Sequence, residues 1–139
     1  MSANFFLDTN VLVYCFDARF PDKQARARGL VREALTGAGA ISFQVVQEFL
    51  NVALRRFAEP LTIEQAREVL DRVLLPMCRV SQDADLYRDA LAVQQRWGFH
   101  FFDALIVASA QAGGCRLLYT EDLQHGQILG GLRVVDPFR

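Results

Sequence analysis

The chain has 139 residues, a length that suits one domain, and 52% of them are hydrophobic against 22% charged. This composition excludes a disordered chain, so we expect residues 1–139 to form a single globular domain with its own buried core. The formal net charge of −1 gives no sign of a protein that binds nucleic acid through its overall charge.

In the first half of the chain, short apolar runs alternate with segments whose apolar residues recur at helical spacing. We predict strands for the apolar runs and helices for the periodic segments. The predicted elements are a strand at 3–7, a short helix or tight turn at 11–16, a helix at 22–36, a strand at 40–42 and a helix at 44–57.

The second half continues the alternation. Thr62 and Gln65 form a capping-box pattern, which predicts a helix that begins there and ends at Pro76. The remaining predicted elements are a strand at 78–80, helices at 83–97 and 102–112, and strands at 116–119 and 132–135. Because strands alternate with helices, we predict the α/β class, as a three-layer α/β/α domain with a central, mostly parallel sheet of four to five short strands.

Cellular location is indicated by three features of the sequence. The chain shows no basic-then-apolar leader typical of a signal peptide, and its most apolar stretch, 101–113, is shorter than the roughly 20 residues that a membrane span needs. The three cysteines, Cys15, Cys78 and Cys115, are scattered without metal-type spacing. We therefore expect a cytoplasmic protein.

Two acidic residues stand where a carboxylate is unusual. Asp8 directly follows the first predicted strand, at the sheet edge where α/β proteins bind ligands. Asp103 is the only charged residue in the apolar segment 101–112. A carboxylate in either place costs free energy unless it is paired or bound to a metal. The alternative for both is a structural role at a helix start, as an N-cap or a first-turn acid.

Two further acids could reach the same edge of the sheet. Glu48 lies beside the apolar face of the predicted helix 44–57, and Asp122 follows the predicted strand 116–119. Each alone is typical of a solvated surface acid. Converging carboxylates raise one another's pKa values unless a cation neutralises them, and Mg²⁺ or Mn²⁺ prefers such oxygen ligands. The four acids together predict a metal site that could activate water against a phosphodiester.

At these residues the chain resembles a PIN-domain ribonuclease, and more closely a VapC-type toxin of a type II toxin–antitoxin system. The matching segments are residues 6–12, 46–49, 102–108 and 120–122, in family order along essentially the whole chain. The resemblance implies that the catalytic, metal-binding set, holding Mg²⁺ or Mn²⁺, is Asp8, Glu48, Asp103 and Asp122. It also implies that Thr9, Asn10 and Thr120 are supporting polar residues of that site. An RNA substrate, a homodimer and a cognate antitoxin are further implications of this likeness.

The basic residues are one lysine, Lys23, and fourteen arginines. The planar guanidinium of arginine suits phosphate recognition, although an arginine-rich genome explains the same bias. Two basic stretches could flank the acids and grip RNA phosphates, and the alternative is ordinary solvated helix surface. The candidate RNA contacts are Arg19, Arg26, Arg55 and Arg56.

Three functions remain open at this point. The first is an endoribonuclease that acts as the toxin of a toxin–antitoxin pair. The second is a housekeeping PIN nuclease that processes RNA without an antitoxin, and the third is a non-catalytic PIN module that binds RNA or protein. A complete set of four acids argues against the third. A phosphatase with Asp8 as nucleophile is disfavoured, because that chemistry needs an acid at position 10, which is Asn10.

Overall fold

The structure is a computed structural model that describes residues 3–139. Its strands are β1 Phe5–Leu7, β2 Gly39–Ser42, β3 Cys78–Val80, β4 Leu117–Tyr119, β5 Ile128–Leu129 and β6 Leu132–Val135. They form one sheet in the order β3-β2-β1-β4-β6-β5. Every neighbouring pair in the described sheet is parallel except the antiparallel pair β5 and β6.

Helices connect and cover these strands. They are α1 Thr9–Tyr14, α2 Pro21–Glu33, α3 Phe43–Arg55, α4 Ile63–Val69, α5 Leu75–Met77, α6 Ala84–Trp97 and α7 Phe101–Ala112. A π-helical turn at Ala34–Ala38 follows α2, and a second at Leu70–Leu74 joins α4 to α5. Thr62 and Gln65 form the predicted capping box at the start of α4.

The predicted α/β class with a mostly parallel sheet is confirmed. The sheet has six strands, whereas at most five were predicted. The sequence did not indicate β5, because a strand of two residues is too short to show a periodic pattern. The helix predicted to end at Pro76 continues to Met77. Pro76 lies in the first turn of α5, where a helix does not need the N–H that proline lacks.

The core lies on both faces of the central strands. All three residues of β1 and all four of β2 are buried. Since successive strand residues point to opposite faces, helices must cover the sheet on both sides. The parallel register pairs Leu7 with Tyr119, so the residues that follow β1 and β4 emerge side by side at one edge. That edge begins with Asp8 and Thr120.

Helix α7 is largely apolar, and Ala104–Ala110 are all buried. It packs between α6 and the strands β2, β3 and β4. No helix within residues 3–139 is both long and apolar enough to cross a bilayer.

Candidate functional site

Asp8 links the end of β1 to the start of α1. Its Oδ1 accepts a 2.7 Å hydrogen bond from the backbone N of Thr9, and its Oδ2 accepts one of 2.8 Å from the Thr120 hydroxyl. Burial raises the pKa of Asp8 to about 7, these two hydrogen bonds oppose the rise, and the charges of Asp122 and Glu48 add to it. Asp8 is therefore the N-cap of α1, the structural alternative that the sequence allowed, and burial also destabilises its ionised form.

The hydroxyl of Thr120 makes three hydrogen bonds at this edge of the sheet. It donates to Asp8 and accepts hydrogen bonds from Nδ2 of Asn10 at 3.1 Å and from the backbone N of Asp122 at 3.0 Å. The same Asn10 amide donates to Oδ2 of Asp122 at 3.1 Å. Thr120 is fully buried, and its one proton and both lone pairs are used. Asp8, Asn10 and Asp122 thus hold fixed places relative to one another.

Glu48 reaches the same edge from the middle of α3. The Thr9 hydroxyl donates a 2.8 Å hydrogen bond to its Oε1. Burial raises the pKa of this half-buried acid, the Thr9 bond lowers it, and the nearby charges of Asp103 and Asp122 raise it again. The two threonines therefore each hold one carboxylate: Thr9 holds Glu48, and Thr120 holds Asp8.

Asp103 lies in the first turn of α7, the alternative position that the sequence allowed for it. Burial raises its pKa, the charge of Asp122 raises it further, and His100 acts in the opposite direction. The adjacent residue Phe102 accepts a 3.1 Å hydrogen bond on its backbone O from Nε2 of Gln44. Since Gln44 precedes Glu48 by one turn of α3, this bond ties the two acid-bearing helices together.

The structure brings the four predicted acids to one edge of the sheet, and we call Asp8, Glu48, Asp103 and Asp122 the acid cluster. The charge of Asp122 raises the pKa of the other three members, the charge of Glu48 raises that of Asp8, and the charge of Asp103 raises that of Glu48. Mutual repulsion of this kind is relieved when a cation lies among the carboxylates. The cluster therefore has the electrostatics of a cation site.

The side chains at this edge offer oxygen donors, the kind of ligand that Mg²⁺ prefers. Within residues 3–139, no three Asp, Glu, His or Cys side chains are arranged so that they could hold an ion by themselves. However, Oδ1 of Asn10 is buried without a hydrogen-bond partner, on the same amide whose Nδ2 donates to Asp122. Mg²⁺ commonly keeps several of its waters and takes only one or two protein carboxylates. The oxygen-only donors fit such a hydrated ion, with water completing its ligands.

The four candidate RNA contacts are all exposed and form no ion pair with the acid cluster in the described chain. Arg19 pairs with Asp17 at 2.9 Å. Arg26 lies 5.9 Å from the centroid of the Tyr119 ring, near the end of β4. Arg55 and Arg56 lie at the C-terminal end of α3, roughly 10 Å of helix rise beyond Glu48. Their contact with RNA stays a prediction.

A second polar network beside the acid cluster was missed at the level of sequence. Oη of Tyr14 donates to Oε1 of Glu121 at 2.6 Å, and Nζ of Lys23 donates to Oε2 of Glu121 at 3.3 Å. The only local signal was position: Tyr14 is one helical turn after Asn10, and Glu121 lies between Thr120 and Asp122. Gln44 was missed too, because a glutamine on a helix carries no signal of its burial.

Fold and site together define a small α/β protein whose parallel strands end in a cluster of carboxylates suited to a hydrated cation. The family model described as PIN domain matches residues 5–128. The chain therefore belongs to the PIN domain family, and this part of the resemblance seen in the sequence is confirmed.

Solved structures with the same fold come from several bacteria. A toxin–antitoxin complex from Klebsiella pneumoniae is 23% identical with a TM-score of 0.68, over 97% of this chain and 98% of that one. FitAcB from Neisseria gonorrhoeae is 19% identical with a TM-score of 0.61, over 96% and 98%. The VapC20 toxin of Mycobacterium tuberculosis, described as cleaving the sarcin–ricin loop, is 22% identical with a TM-score of 0.58, over 86% and 90%. Among curated proteins, no sequence matches significantly.

Proposed function

We propose that this chain is a metal-dependent endoribonuclease that hydrolyses RNA phosphodiester bonds, and that it is the toxin of a toxin–antitoxin pair. The observation that carries the proposal is the meeting of Asp8, Glu48, Asp103 and Asp122 at one sheet edge, where the pKa values of the first three are raised by burial and by like charges. Membership of the PIN domain family and a fold shared with bacterial toxins support it.

The acid cluster would hold Mg²⁺ or Mn²⁺, and Thr9, Asn10 and Thr120 would orient it. Thr9 and Thr120 set the carboxylates of Glu48 and Asp8 through hydrogen bonds. Oδ1 of Asn10, which has no partner, is free to bind a water of the ion. When bound, the cation lowers the pKa of a coordinated water and neutralises charge on the phosphate.

Protonation of Asp8 is expected to make cation binding at this site depend on pH. With a pKa of about 7, it is partly protonated at neutral pH when no cation is present. A cation binds the ionised carboxylate, so metal binding is expected to release protons. Affinity for Mn²⁺ should therefore rise with pH up to roughly the pKa of Asp8, and then level off.

We propose that the antitoxin binds in a groove whose lining includes no member of the acid cluster. A cavity of about 230 Å³ lies between α1, α2, α3 and the π-helical turn at Leu70–Leu74. Apolar side chains such as Leu12, Phe49 and Val73 line it, and Arg28 and Arg32 supply positive charge. An amphipathic helix with an acidic residue would match this surface in both shape and charge.

The remaining family implications are proposals of the same kind. We propose that residues 1–139 are one nuclease domain, that the protein acts in the cytoplasm, and that it functions as a homodimer. Size-exclusion chromatography with light scattering on the purified chain tests the dimer directly, since a mass near that of one 15.7 kDa chain would exclude it.

The deciding experiment measures cleavage of total cellular RNA by the purified chain, freed of co-purified protein. Discrete fragments are expected with Mn²⁺ or Mg²⁺ and none with EDTA. Asp8→Asn keeps the capping geometry and should reduce the rate by about 100-fold or more. Asp71→Asn is the matched control, since Asp71 is an exposed acid outside the acid cluster.

The outcomes separate the three functions left open by the sequence. Intact RNA with every metal would favour a non-catalytic binding module. If RNA is cleaved and no small DNA-binding protein encoded by a neighbouring gene inhibits the cleavage, a housekeeping RNA-processing nuclease would be favoured. Cleavage that such a partner suppresses at equimolar concentration would support the toxin.

A further inference from the structure

We infer that Lys23 and Tyr14 are positioning residues that hold the carboxylate of Glu121 away from the acid cluster. In doing so they fix the turn that presents Thr120 and Asp122 to the site. The inference rests on the proposed function, because the site whose geometry they set is the proposed metal site. Lys23 is the single lysine of the chain, and the inference gives it a specific role.

The geometry engages both oxygens of the Glu121 carboxylate. Oη of Tyr14 donates to Oε1 at 2.6 Å, and Nζ of Lys23 donates to Oε2 at 3.3 Å. Nζ of Lys23 also donates to Oη of Tyr14 at 3.2 Å, which closes a triangle of three polar groups. The side chains of Lys23 and Glu121 are only 33% and 27% exposed, so water screens this pair less than an ordinary surface pair.

Aromatic rings limit where the ammonium group of Lys23 can go. Its Nζ lies 4.7 Å from the ring centroid of Tyr14, 5.4 Å from that of Phe20 and 5.6 Å from that of Phe138. Contacts of this kind attract a cation to the ring faces. Phe138 also packs edge-to-face on Tyr14 at 4.8 Å, so the C-terminal segment is part of the same assembly.

The placement matters because Glu121 lies between two residues of the site. Thr120 bonds to Asp8, and Asp122 accepts a hydrogen bond from Asn10. A released Glu121 would bring a fifth carboxylate within reach of a cluster whose members already repel one another. It could then displace Asp122 as a ligand or pull the turn away from Thr120. Lys23 and Tyr14 prevent both by binding Glu121 on the side of α1 and α2.

The first test needs neither metal nor RNA. Amide hydrogen exchange is measured by NMR in the metal-free protein, and the reporter is the N–H of Asp122, which donates to Thr120 Oγ1 at 3.0 Å. Lys23→Met should speed its exchange by about 10-fold, the effect of losing one charge-assisted hydrogen bond. Lys23→Arg should stay near the wild-type rate. Arg88→Met, which removes the exposed pair with Asp85, is the matched control and should change nothing at Asp122.

Tyr14→Phe is a second variant that tests the inference even if Lys23→Met fails to fold. It removes only the hydroxyl, retains the ring that packs on Phe138, and should also speed exchange at Asp122. If the Asp122 amide exchanges at the wild-type rate in both Lys23→Met and Tyr14→Phe, the inference is overturned.

The second test determines whether the released carboxylate of Glu121 is the cause of reduced RNA cleavage. Lys23→Met should reduce Mn²⁺-dependent RNA cleavage by about 10-fold, and adding Glu121→Gln to it should restore the rate to within about 3-fold of wild type. A double variant as impaired as Lys23→Met would overturn the inference. If exchange responds as expected but the wild-type protein cuts no RNA, the positioning role stands and the proposed nuclease function fails.

Discussion

The hydroxyl of Thr120 donates a 2.8 Å hydrogen bond to Oδ2 of Asp8, which joins two residues 112 positions apart in the sequence. The two residues follow adjacent parallel strands, and the backbone N of Asp8 donates to the O of Tyr119 at 3.0 Å in the same place. Because the bond is buried, it can distinguish a correctly formed sheet edge from one that has slipped by a residue. Stability and chemistry are therefore expected to depend on the same contact.

Thr120→Val should destabilise the protein by about 1–3 kcal/mol, because valine matches the shape of threonine but leaves the buried Asp8 oxygen without its donor. The urea midpoint of unfolding measures the loss. Thr120→Ser keeps the hydroxyl and serves as the control, with a midpoint closer to that of wild type. Equal midpoints for the valine variant and wild type would show that the bond contributes nothing.

The pH dependence of stability should follow Asp8. Burial raises its pKa from 3.8 to about 7 on folding, so between these pH values the folded protein keeps a proton that the unfolded chain has released. Stability of the metal-free protein should therefore fall as the pH rises through this window and become constant above it. The full change is roughly 4 kcal/mol, at about 1.4 kcal/mol per pKa unit.

Urea titrations at pH 5 and pH 8 in EDTA measure this effect, and Asp8→Asn is the control because asparagine caps the helix without titrating. The variant should lose most of the pH dependence. A wild-type midpoint that stays level, or rises, between the two pH values contradicts the prediction.

Asp103→Asn should separate stability from activity. The charge of Asp103 raises the pKa of Glu48, so its removal relieves repulsion within the acid cluster. At pH 8 without metal, we expect the variant to be as stable as wild type or more stable by up to about 1 kcal/mol. Mn²⁺-dependent RNA cleavage should nevertheless fall by about 100-fold or more.

Thermal melts and cleavage rates of the same Asp103→Asn preparation provide the comparison, with Asp71→Asn as the control for loss of an exposed acid. If Asp103→Asn melts well below wild type and still cuts RNA, Asp103 is structural and the acid cluster has one functional member fewer.

Gly39→Ala should be poorly tolerated although the change is small. A Cβ at Gly39 would lie 2.5 Å from Cβ of Ala34 and 2.5 Å from Cε2 of Phe5, so β1 and β2 could not keep their spacing. We expect a loss of about 1–3 kcal/mol, measured by urea unfolding. Gly29→Ala in α2 is the control, because only Arg32 Nη2, at 4.0 Å, is near its Cβ, and it should be neutral or stabilising by about 0.5–1 kcal/mol. The reverse order of stability would contradict this account.

The sequence by itself determined the features that depend on a few neighbouring residues. Apolar runs and helical periodicity located the main elements, and the capping box at Thr62 and Gln65 marked the start of α4. Asp8 could be found because it directly follows a buried strand, and Asp103 because it interrupts an apolar helix. Parallel strands place their carboxyl ends together, so the approximate location of the site followed from the order of the elements.

Only the tertiary structure decided which polar groups pair across the sheet edge. The bond from Thr9 to Glu48 spans 39 residues, and the bond from Tyr14 to Glu121 spans 107. Such partners are set by how helices pack on the sheet, and no local propensity encodes them. The same packing left Oδ1 of Asn10 buried without a partner, and it removed the water that would otherwise hold the pKa of Asp8 near 4. The identities of the acids were readable from the chain, whereas their energetics arise from burial, which is a property of the folded molecule alone.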